Sequence, residues 1–285
     1  MADYPTGIAQ PLEPLVTRVL ARNASPYTHS GTQSFIVGGE GAVAVIDPGP
    51  VDDVHLDAIM TAVGGREVAA ILCTHTHRDH SPGAAPLAAR TGAAIIGCAP
   101  LTMDDAGPRS DAAFDVDYRP DRVLGDGEAV AGDGWTLVAV ATPGHTSNHL
   151  AFALPESGAL FSGDHVMGWS TTIVSPPDGD MGDYMASLSK LLDRDDRIYY
   201  PAHGDLIATP QRLVRSMLGH RKQREGQIAR AIERGTHDVP TMVDGMYVGL
   251  AAGLVGAARR SVLAHLIDME RRGIVRQEGD TWHRM

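Results

Sequence analysis

The chain of 285 residues is 43% hydrophobic and 21% charged, the balance of a globular protein with a buried core in one or two domains. No stretch approaches the roughly 18 apolar residues of a membrane span, and the N-terminus lacks the basic and apolar pattern of a secretory signal. Residues 1–211 carry 11 Lys/Arg against 27 Asp/Glu, a net charge of −16, which excludes nucleic-acid binding by bulk electrostatics, whereas residues 212–285 carry +5.

Short strands separated by Gly, Pro and Asp are predicted in the first hundred residues, with helices between them. Strands are predicted at 32–37, 42–46, 69–74 and 93–97, and helices at 54–63 and 83–90. Both cysteines, Cys73 and Cys98, lie in apolar strand-like runs. A disulfide framework is therefore not expected, and a reducing cytoplasm is the location that fits best.

Two more strands are predicted at 135–140 and 149–154. A helix with apolar residues at helical spacing follows Asp180, whose side chain suits an N-cap. Strands and helices mixed in this way predict an α/β fold, in which sheets are covered by helices.

The pattern changes at Thr209-Pro210, where a cap residue and a proline begin a long Arg-rich helix. A second helix at about 257–272 and a hairpin after Gly273 give a winged-helix-like pattern. We therefore predict a catalytic domain over residues 1–208 and a helical, winged-helix-like domain over residues 209–285.

The densest group of metal-ligand side chains is His75, His77, Asp79 and His80, which follows the strand ending near Thr74. Strand side chains alternate between faces, so His75 and His77 point the same way and can hold one cation together. Asp79 and His80 come after the strand end, where the chain turns away and can reach a second cation. Imidazole nitrogen and carboxylate oxygen are ligands that zinc favours.

Three later fragments offer further ligands, each after a predicted strand end. They are His145 in a Pro-Gly-His run, Asp164 in a Ser-Gly-Asp run and His203 in a Pro-Ala-His-Gly run. Active residues of α/β layers usually lie at strand ends. An isolated histidine is more often a core or surface residue, but this number of residues at metal-ligand spacing favours a metal site.

The His-x-His-x-Asp-His run at 75–80, followed in order by Gly-His145, Gly-Asp164 and His203-Gly, resembles the metallo-β-lactamase-fold hydrolases. The resemblance covers about residues 15–210. It implies a four-layer αβ/βα sandwich with the metals at one sheet edge and a C-terminal winged-helix-like domain beyond it. It also implies that two zinc ions are bound, although the same ligands accept manganese or iron.

The resemblance assigns each candidate ligand to an ion. His75, His77 and His145 would hold the first ion, Asp79, His80 and His203 the second, and Asp164 would bridge both. Two such ions share a water molecule and lower its pKa to about 7, so the expected enzyme is a metal-dependent hydrolase whose nucleophile is a metal-bridging hydroxide.

Four residues beside the ligand set have expected or open roles. Asp79 is expected to orient the hydroxide in addition to its metal contact. His149 is a candidate for protonating the leaving group, and a hydrogen bond to a metal ligand is its alternative role. Asp47 either orients a ligand histidine or caps a turn. His165 is interpreted as a strand-end residue that faces solvent.

The substrate stays open at this stage. The long helix containing residues 220–228, the winged-helix-like end and residues 175–181 resemble the β-lactamase-like-protein-2 group. The first expectation is an ester-type or thioester bond of a small molecule. The alternatives are an endoribonuclease that cleaves single-stranded RNA, and a nucleic-acid-binding or dimerisation module with a vestigial metal site. A homodimer is considered, and no membrane partner is expected.

The C-terminal part presents arginines where a recognition helix and its wing would lie. These are Arg259, Arg260, Arg271, Arg272 and Arg276. Arg-rich helix faces are more often solvated or paired with acids, and that is the interpretation we favour.

Overall fold

The computed structural model describes residues 5–102 and 114–285. The chain forms two compact units. The first contains the described residues up to Thr142 together with Asn148–Ser170 and Asp195–Pro210, and the second contains Pro143–Ser147, Thr171–Arg194 and Gln211–Met285. The domain boundary predicted between residues 208 and 209 stays a prediction. Within the described residues, no helix has both the length and the apolar character needed to cross a membrane.

In the part that the structure describes, the first unit holds most of the strands and two helices. Its strands are β1 (Gln10–Glu13), β2 (Val16–Leu20), β3 (Gln33–Val37), β4 (Val43–Ile46), β5 (Val68–Cys73), β6 (Ala94–Gly97), β7 (Arg122–Val123), β8 (Ala129–Gly132), β9 (Trp135–Ala141), β10 (Leu150–Leu154), β11 (Ala159–Gly163) and β12 (Ile198–Pro201). Its helices are α1 (Asp53–Val63) and α2 (Ala84–Thr91).

A seven-stranded sheet of order β1-β2-β3-β4-β5-β6-β7 forms one layer of this unit. Its first four strands pair antiparallel, and β4 to β7 pair parallel. Helix α1 connects β4 to β5, and α2 connects β5 to β6. The side chain of Asp52 accepts a hydrogen bond from the N–H of Val54 and begins α1, and Gly64 ends it with φ 66°.

A five-stranded sheet of order β12-β11-β10-β9-β8 forms the other layer, with β11 and β12 parallel and the other pairs antiparallel. The ring of Phe35 on β3 lies 5.1 Å from that of Phe161 on β11 and 5.8 Å from that of Tyr200 on β12, between centroids. One buried hydrophobic cluster includes residues of both sheets. The two sheets therefore pack face to face around a common core.

Two of the parallel strand pairs bring polar residues to the ends of neighbouring strands. Strands β4 and β5 are parallel neighbours, so Asp47 and Thr74, which follow them, lie side by side. Strands β11 and β12 are also parallel, and they are followed by Asp164 and His203. Such strand ends are where open α/β layers place their ligands.

The second unit contains the helices α3 (Met181–Leu192), α4 (Pro210–Glu233), α5 (Val239–Met246) and α6 (Val255–Arg271), and the hairpin of β13 (Val275–Glu278) and β14 (Thr281–Arg284). A separate hydrophobic core joins α4, α5, α6 and the hairpin. Trp282 on β14 is 2% exposed and fills the space between the hairpin and the helices. Helices followed by a two-stranded wing are the pattern that the sequence predicted.

Most predicted elements are confirmed with boundaries shifted by one or two residues. Helix α3 begins behind its predicted cap, since the carboxylate of Asp180 accepts from the N–H of Asp183. The strands β1, β2, β7 and β8 and helix α5 were not predicted. Apart from β2, these are edge strands or short segments with little apolar periodicity, and their place in the fold depends on the neighbours they pair with or pack on.

Candidate metal centre

The first group of candidate ligands follows β5 and β11. The Nε2 atom of His75 lies 2.9 Å from Nδ1 of His77, as expected for two side chains on one face of an extended segment. Together with Asp164, these side chains offer ligand atoms that all lie within 4.8 Å of one another. Two imidazole nitrogens and a carboxylate oxygen converging in this way are suited to hold a divalent cation.

The second group contains Asp79, His80 and His203. Their ligand atoms also lie within 4.8 Å of one another. The Oδ2 atom of Asp79 is 3.1 Å from Nε2 of His203 and 3.3 Å from Nε2 of His80. The two histidines are fully buried, so a charge held here is shielded from water.

Asp164 lies between the two groups. It offers a ligand atom to the first group, and its Oδ1 atom lies 3.3 Å from Nε2 of His203 and 3.6 Å from Nε2 of His80 in the second. The carboxylate is therefore close to the ligand atoms of both groups. Gly163 before it has φ 52°, and a Cβ atom there would lie 2.6 Å from Nε2 of His149, so this approach requires glycine.

Hydrogen bonds from the surrounding chain orient the imidazole rings. The Nδ1 atom of His80 lies 3.0 Å from Oδ2 of Asp47, and Nδ1 of His203 lies 3.1 Å from the carbonyl oxygen of Gly31. The hydroxyl of Thr32 donates to Oδ2 of Asp79 at 3.3 Å. A bond at one ring nitrogen leaves the other nitrogen available for a metal ion. No local pattern in the sequence marks Gly31 or Thr32 as a functional residue.

Asp47 serves the first of its two predicted roles, since it orients a candidate ligand histidine. Its Oδ1 atom accepts from the N–H of Thr74, and its Oδ2 atom accepts from the hydroxyl of Thr74, each at 2.8 Å, while Oδ2 also contacts His80. Asp47 has φ 48°, an uncommon conformation for a residue other than glycine.

His149 is buried and lies below Asp164. Its Nε2 atom accepts from the backbone N–H of Asp164 at 3.1 Å, and its Nδ1 atom lies 2.8 Å from the hydroxyl oxygen of Thr142. Because Nε2 is an acceptor here, Nδ1 carries the proton and donates to Thr142. This geometry favours the alternative role, in which His149 holds Asp164 in place, over proton donation to a leaving group.

Two other histidines beside the motifs differ in where they lie. His145 belongs to the second unit, where its Nδ1 atom lies 2.7 Å from the carbonyl oxygen of Ile173. Its role as a ligand of the first ion stays a prediction. The interpretation of His165 as a solvent-facing residue is wrong, because its side chain is fully buried. The burial of His165 is a tertiary feature that local sequence does not show.

The electrostatics of the second group favour a cation. Burial by itself opposes a charged imidazole, but the carboxylates of Asp79, Asp164 and Asp47 outweigh burial and raise the pKa of His80 well above its usual range. Burial would likewise raise the pKa of Asp79, yet His80 and His203 hold that pKa well below its usual range. The carboxylates thus stabilise positive charge between these side chains.

The residues fit a metal ion. The Nε2 atom of His80 is buried and makes no hydrogen bond within residues 5–102 and 114–285, although such atoms are normally paired. A cation bound between the carboxylates and the imidazoles would supply the missing partner of this nitrogen. Nitrogen and oxygen donors suit zinc and also other first-row metals, so the donor set does not by itself select one.

Three of the five arginines on the predicted basic face of the C-terminal part are paired with carboxylates. Arg271 contacts Asp180 at 2.5 Å, and Arg272 contacts Glu225 at 2.6 Å. Arg276 contacts Glu278 on the same hairpin at 2.9 Å. These pairs favour the interpretation that the arginines are structural rather than a surface for polyanions.

Comparison with known protein families agrees with the motifs. The family model of the metallo-β-lactamase superfamily matches residues 27–203, and that of the β-lactamase-associated winged helix domain matches residues 239–282. An atrochrysone carboxyl ACP thioesterase of Paecilomyces divaricatus is 32% identical, covering 80% of this chain and 67% of its own. A β-lactamase-like protein 2 homolog of Caenorhabditis elegans is also 32% identical, covering 82% of this chain and 77% of its own.

Solved structures share the fold. A β-lactamase domain protein from Burkholderia ambifaria superposes with a TM-score of 0.83 at 20% identity, covering all of this chain and 96% of its own. A protein solved in a di-iron-bound form has a TM-score of 0.53 at 28% identity, covering 68% of this chain and 95% of its own. The expected four-layer αβ/βα class with its C-terminal winged-helix-like domain is thereby confirmed. This chain belongs to the metallo-β-lactamase superfamily of hydrolases and carries the winged helix domain associated with it.

Proposed function

We propose that this chain is a binuclear zinc-dependent hydrolase that cleaves the thioester bond of a small molecule. The single observation that supports two ions is the position of Asp164, whose carboxylate contributes to one ligand group and lies 3.3–3.6 Å from two imidazoles of the other. The thioester is supported by the similarity to a relative named as a carboxyl ACP thioesterase.

Each ion is assigned its own set of side chains. The first ion would be held by His75, His77, His145 and Asp164, and the second by Asp79, His80, His203 and Asp164. Such ions lower the pKa of a bound water and neutralise negative charge that develops on a substrate oxygen. Hydrolysis of a thioester adds the hydroxyl of a water molecule to the acyl carbon, breaks the carbon–sulfur bond and gives the remaining proton to the sulfur, so that an acid and a thiol are released.

Hydrogen bonds from neighbouring residues orient the proposed ligands. Asp47 fixes the ring of His80, and the carbonyl of Gly31 fixes that of His203. Thr32 donates to Asp79 and so holds the carboxylate that we expect to orient the attacking water. His149 donates to Thr142 and accepts from the N–H of Asp164, which keeps the bridging carboxylate in position.

A small substrate suits the charge distribution better than RNA. Residues 1–211, which contain all seven proposed ligands and β1 to β12, have a net charge of −16 and repel a polyanion. Three of the five arginines that would contact RNA in the winged helix domain, Arg271, Arg272 and Arg276, are engaged with carboxylates. Cys73 and Cys98 are both free and buried, which supports a reducing location such as the cytoplasm.

The proposal is tested by metal analysis and a substrate panel on the intact chain. We expect close to two zinc ions per chain, thiol release from acyl thioesters detected with a thiol reagent, and no cleavage of a fluorescent single-stranded RNA. RNA cleavage without thioester turnover would replace the proposed substrate by the polynucleotide. Purification without any transition metal, and no uptake of one, would contradict the metal centre itself.

Variants tie the activity to the site. His77→Ala or Asp164→Ala should abolish thioester hydrolysis, because each removes a ligand at a strand end, while the metal-free protein keeps its circular dichroism spectrum. The matched control is Asp195→Ala, which changes an exposed carboxylate outside both ligand groups and should leave turnover unchanged. Retained turnover in either ligand variant after metal stripping and reloading would contradict the assignment.

A further inference from the structure

The loop that carries His145 is held by helix α3 and the turn before it, within the second unit. The carbonyl of Pro143 accepts from the hydroxyl of Ser187 at 2.8 Å, and the carbonyl of Gly144 accepts from the N–H of Asp180 at 2.9 Å. A Cβ atom at residue 144 would lie 2.3 Å from backbone atoms of Tyr184, so only glycine fits there. The backbone beside His145 is therefore fixed by its surroundings.

The ring of His145 is oriented by a second segment of the same unit. Its Nδ1 atom lies 2.7 Å from the carbonyl oxygen of Ile173. Because a carbonyl only accepts, Nδ1 carries the proton, and Nε2 keeps the lone pair that a metal ion requires. The orientation of this imidazole thus depends on where the carbonyl of Ile173 points.

Arg221 fixes the backbone immediately before that carbonyl. It lies on α4, its side chain is 2% exposed, and its Nη2 atom makes a short hydrogen bond to the carbonyl oxygen of Thr172. The guanidinium carbon also lies 5.1 Å from the centroid of the Tyr184 ring on α3. One buried cation therefore contacts both the segment before Ile173 and the helix that packs against Gly144.

Burying an arginine is unfavourable unless its charge is used. In the part of the chain that the structure describes, the hydrogen bond of Arg221 goes to a backbone carbonyl and not to a carboxylate, and its Nε atom makes none. The partner of Arg221 is thus the main-chain carbonyl of Thr172, one residue before the carbonyl of Ile173 that accepts from His145. This placement indicates that Arg221 fixes the position of the segment that contains both carbonyls.

We propose that Arg221 is a positioning residue for the metal ligand His145. It anchors Thr172, and thereby sets the carbonyl of Ile173 that selects the ring orientation and tautomer of His145. The inference rests on the proposed function only in taking His145 as a ligand of the first ion. It assigns a role in orienting this ligand to a helix that carries none of the ligands.

The test compares Arg221→Met with Arg224→Met. Methionine keeps an apolar stem but removes every donor. Arg224 is the matched control, since it lies on the same helix, donates to Gln227 and to the carbonyl of Met246, and stacks on Tyr247, away from the segment at Thr172. Competition with a chromophoric chelator measures the affinity for zinc, and cobalt substitution reports the ligand geometry in the visible spectrum.

We expect Arg221→Met to weaken one of the two ions about 10- to 100-fold, the usual effect of removing a group that orients a ligand, and to leave the other ion unchanged. The cobalt spectrum of the weakened site should shift, Arg221→Lys should restore part of the affinity, and Arg224→Met should match the wild type. Unchanged affinity and spectrum in a folded Arg221→Met protein would overturn the inference.

Folding and function are separated by two further measurements. Should Arg221→Met fail to fold, Arg221→Lys takes its place, and the ring nitrogen NMR signals of His145 in the metal-free protein are expected to shift relative to Arg224→Lys. Unshifted signals would overturn the inference. If the wild type binds two ions and hydrolyses thioesters while the Arg221 variants are unaffected, only this inference is overturned. If the wild type binds no ion, the proposed function is overturned as well.

Discussion

Asp47 uses one carboxylate to hold three groups beside the metal centre. Oδ1 accepts from the N–H of Thr74, and Oδ2 meets both the hydroxyl of Thr74 and Nδ1 of His80. The residue has φ 48°, a conformation that costs free energy in residues other than glycine and is least unfavourable for Asp and Asn. At the residue scale, position 47 therefore requires a residue that tolerates a positive φ and also a carboxylate that can hold Thr74 and His80.

Asp47→Asn separates these two requirements. Asparagine tolerates the same backbone, but its amide offers one acceptor oxygen where the carboxylate offers two, so the contact to His80 or to Thr74 is lost. We expect the zinc affinity of the site containing His80 to fall about 10- to 100-fold, measured by chelator competition. Asp57→Asn on the exposed face of α1 is the control, and an equal affinity in both variants would contradict the role of Asp47.

At the scale of elements, α4 and α6 bury an imidazole among positive charges. His265 on α6 is 1% exposed, and neither ring nitrogen makes a hydrogen bond within the described residues. Burial is the main cause that lowers the pKa of His265 to about 3. Charged side chains on α4 and at the end of α6 lower this pKa further. They are Arg221, His220, Arg272 and Arg224. The contact between these helices thus requires a neutral imidazole.

This requirement predicts a pH dependence of stability. The unfolded chain takes up a proton at His265 below pH 6.5, whereas the folded chain does so only near pH 3. The stabilisation from the neutral ring is therefore present above pH 6.5 and is lost as the pH falls toward 3. Between pH 7.5 and 5.5 the metal-free wild type should lose about 1.4 kcal/mol more unfolding free energy than His265→Leu.

Urea unfolding at the two pH values measures this difference. The other histidines titrate in both proteins, so their contributions cancel in the comparison. If the wild type and His265→Leu lost the same unfolding free energy between the two pH values, His265 would be protonated in the folded state. That result would contradict its low pKa.

At the scale of the whole molecule, the proposed metal ions would cross-link segments that are far apart in sequence. The proposed ligands of the first unit follow β5, β11 and β12, which belong to two different sheets. An ion bound by the folded chain and not by the unfolded one adds stability by mass action, about 2.7 kcal/mol at a concentration of 100 times the dissociation constant.

Metal removal should therefore lower both activity and stability. We expect dialysis against a strong chelator to abolish thioester hydrolysis and to lower Tm by about 5–10 °C, and added zinc to restore both. Added calcium, which prefers oxygen ligands in larger number, should restore neither. An unchanged Tm in protein shown by elemental analysis to be metal-free would contradict a site that joins the two sheets.

The sequence by itself determined the features that depend on local spacing. Alternation of side chains after β5 placed His75 and His77 on one side, and the cap at Asp180 predicted the start of α3. The cap residue and proline at Thr209-Pro210 predicted the long helix, and the hairpin pattern after Gly273 predicted the wing. These signals lie within a few residues of one another, because caps and strand alternation are short-range properties of the backbone.

Only the tertiary structure decided which groups support the ligands. Thr32 is 47 residues from Asp79, and Gly31 is 172 residues from His203, so no local pattern joins these pairs. The same holds for the burial of His165 and for the position of His149 below Asp164. Hydrogen-bond partners at such separations are selected by how the sheets pack, and packing is a property of the whole chain that local spacing does not encode.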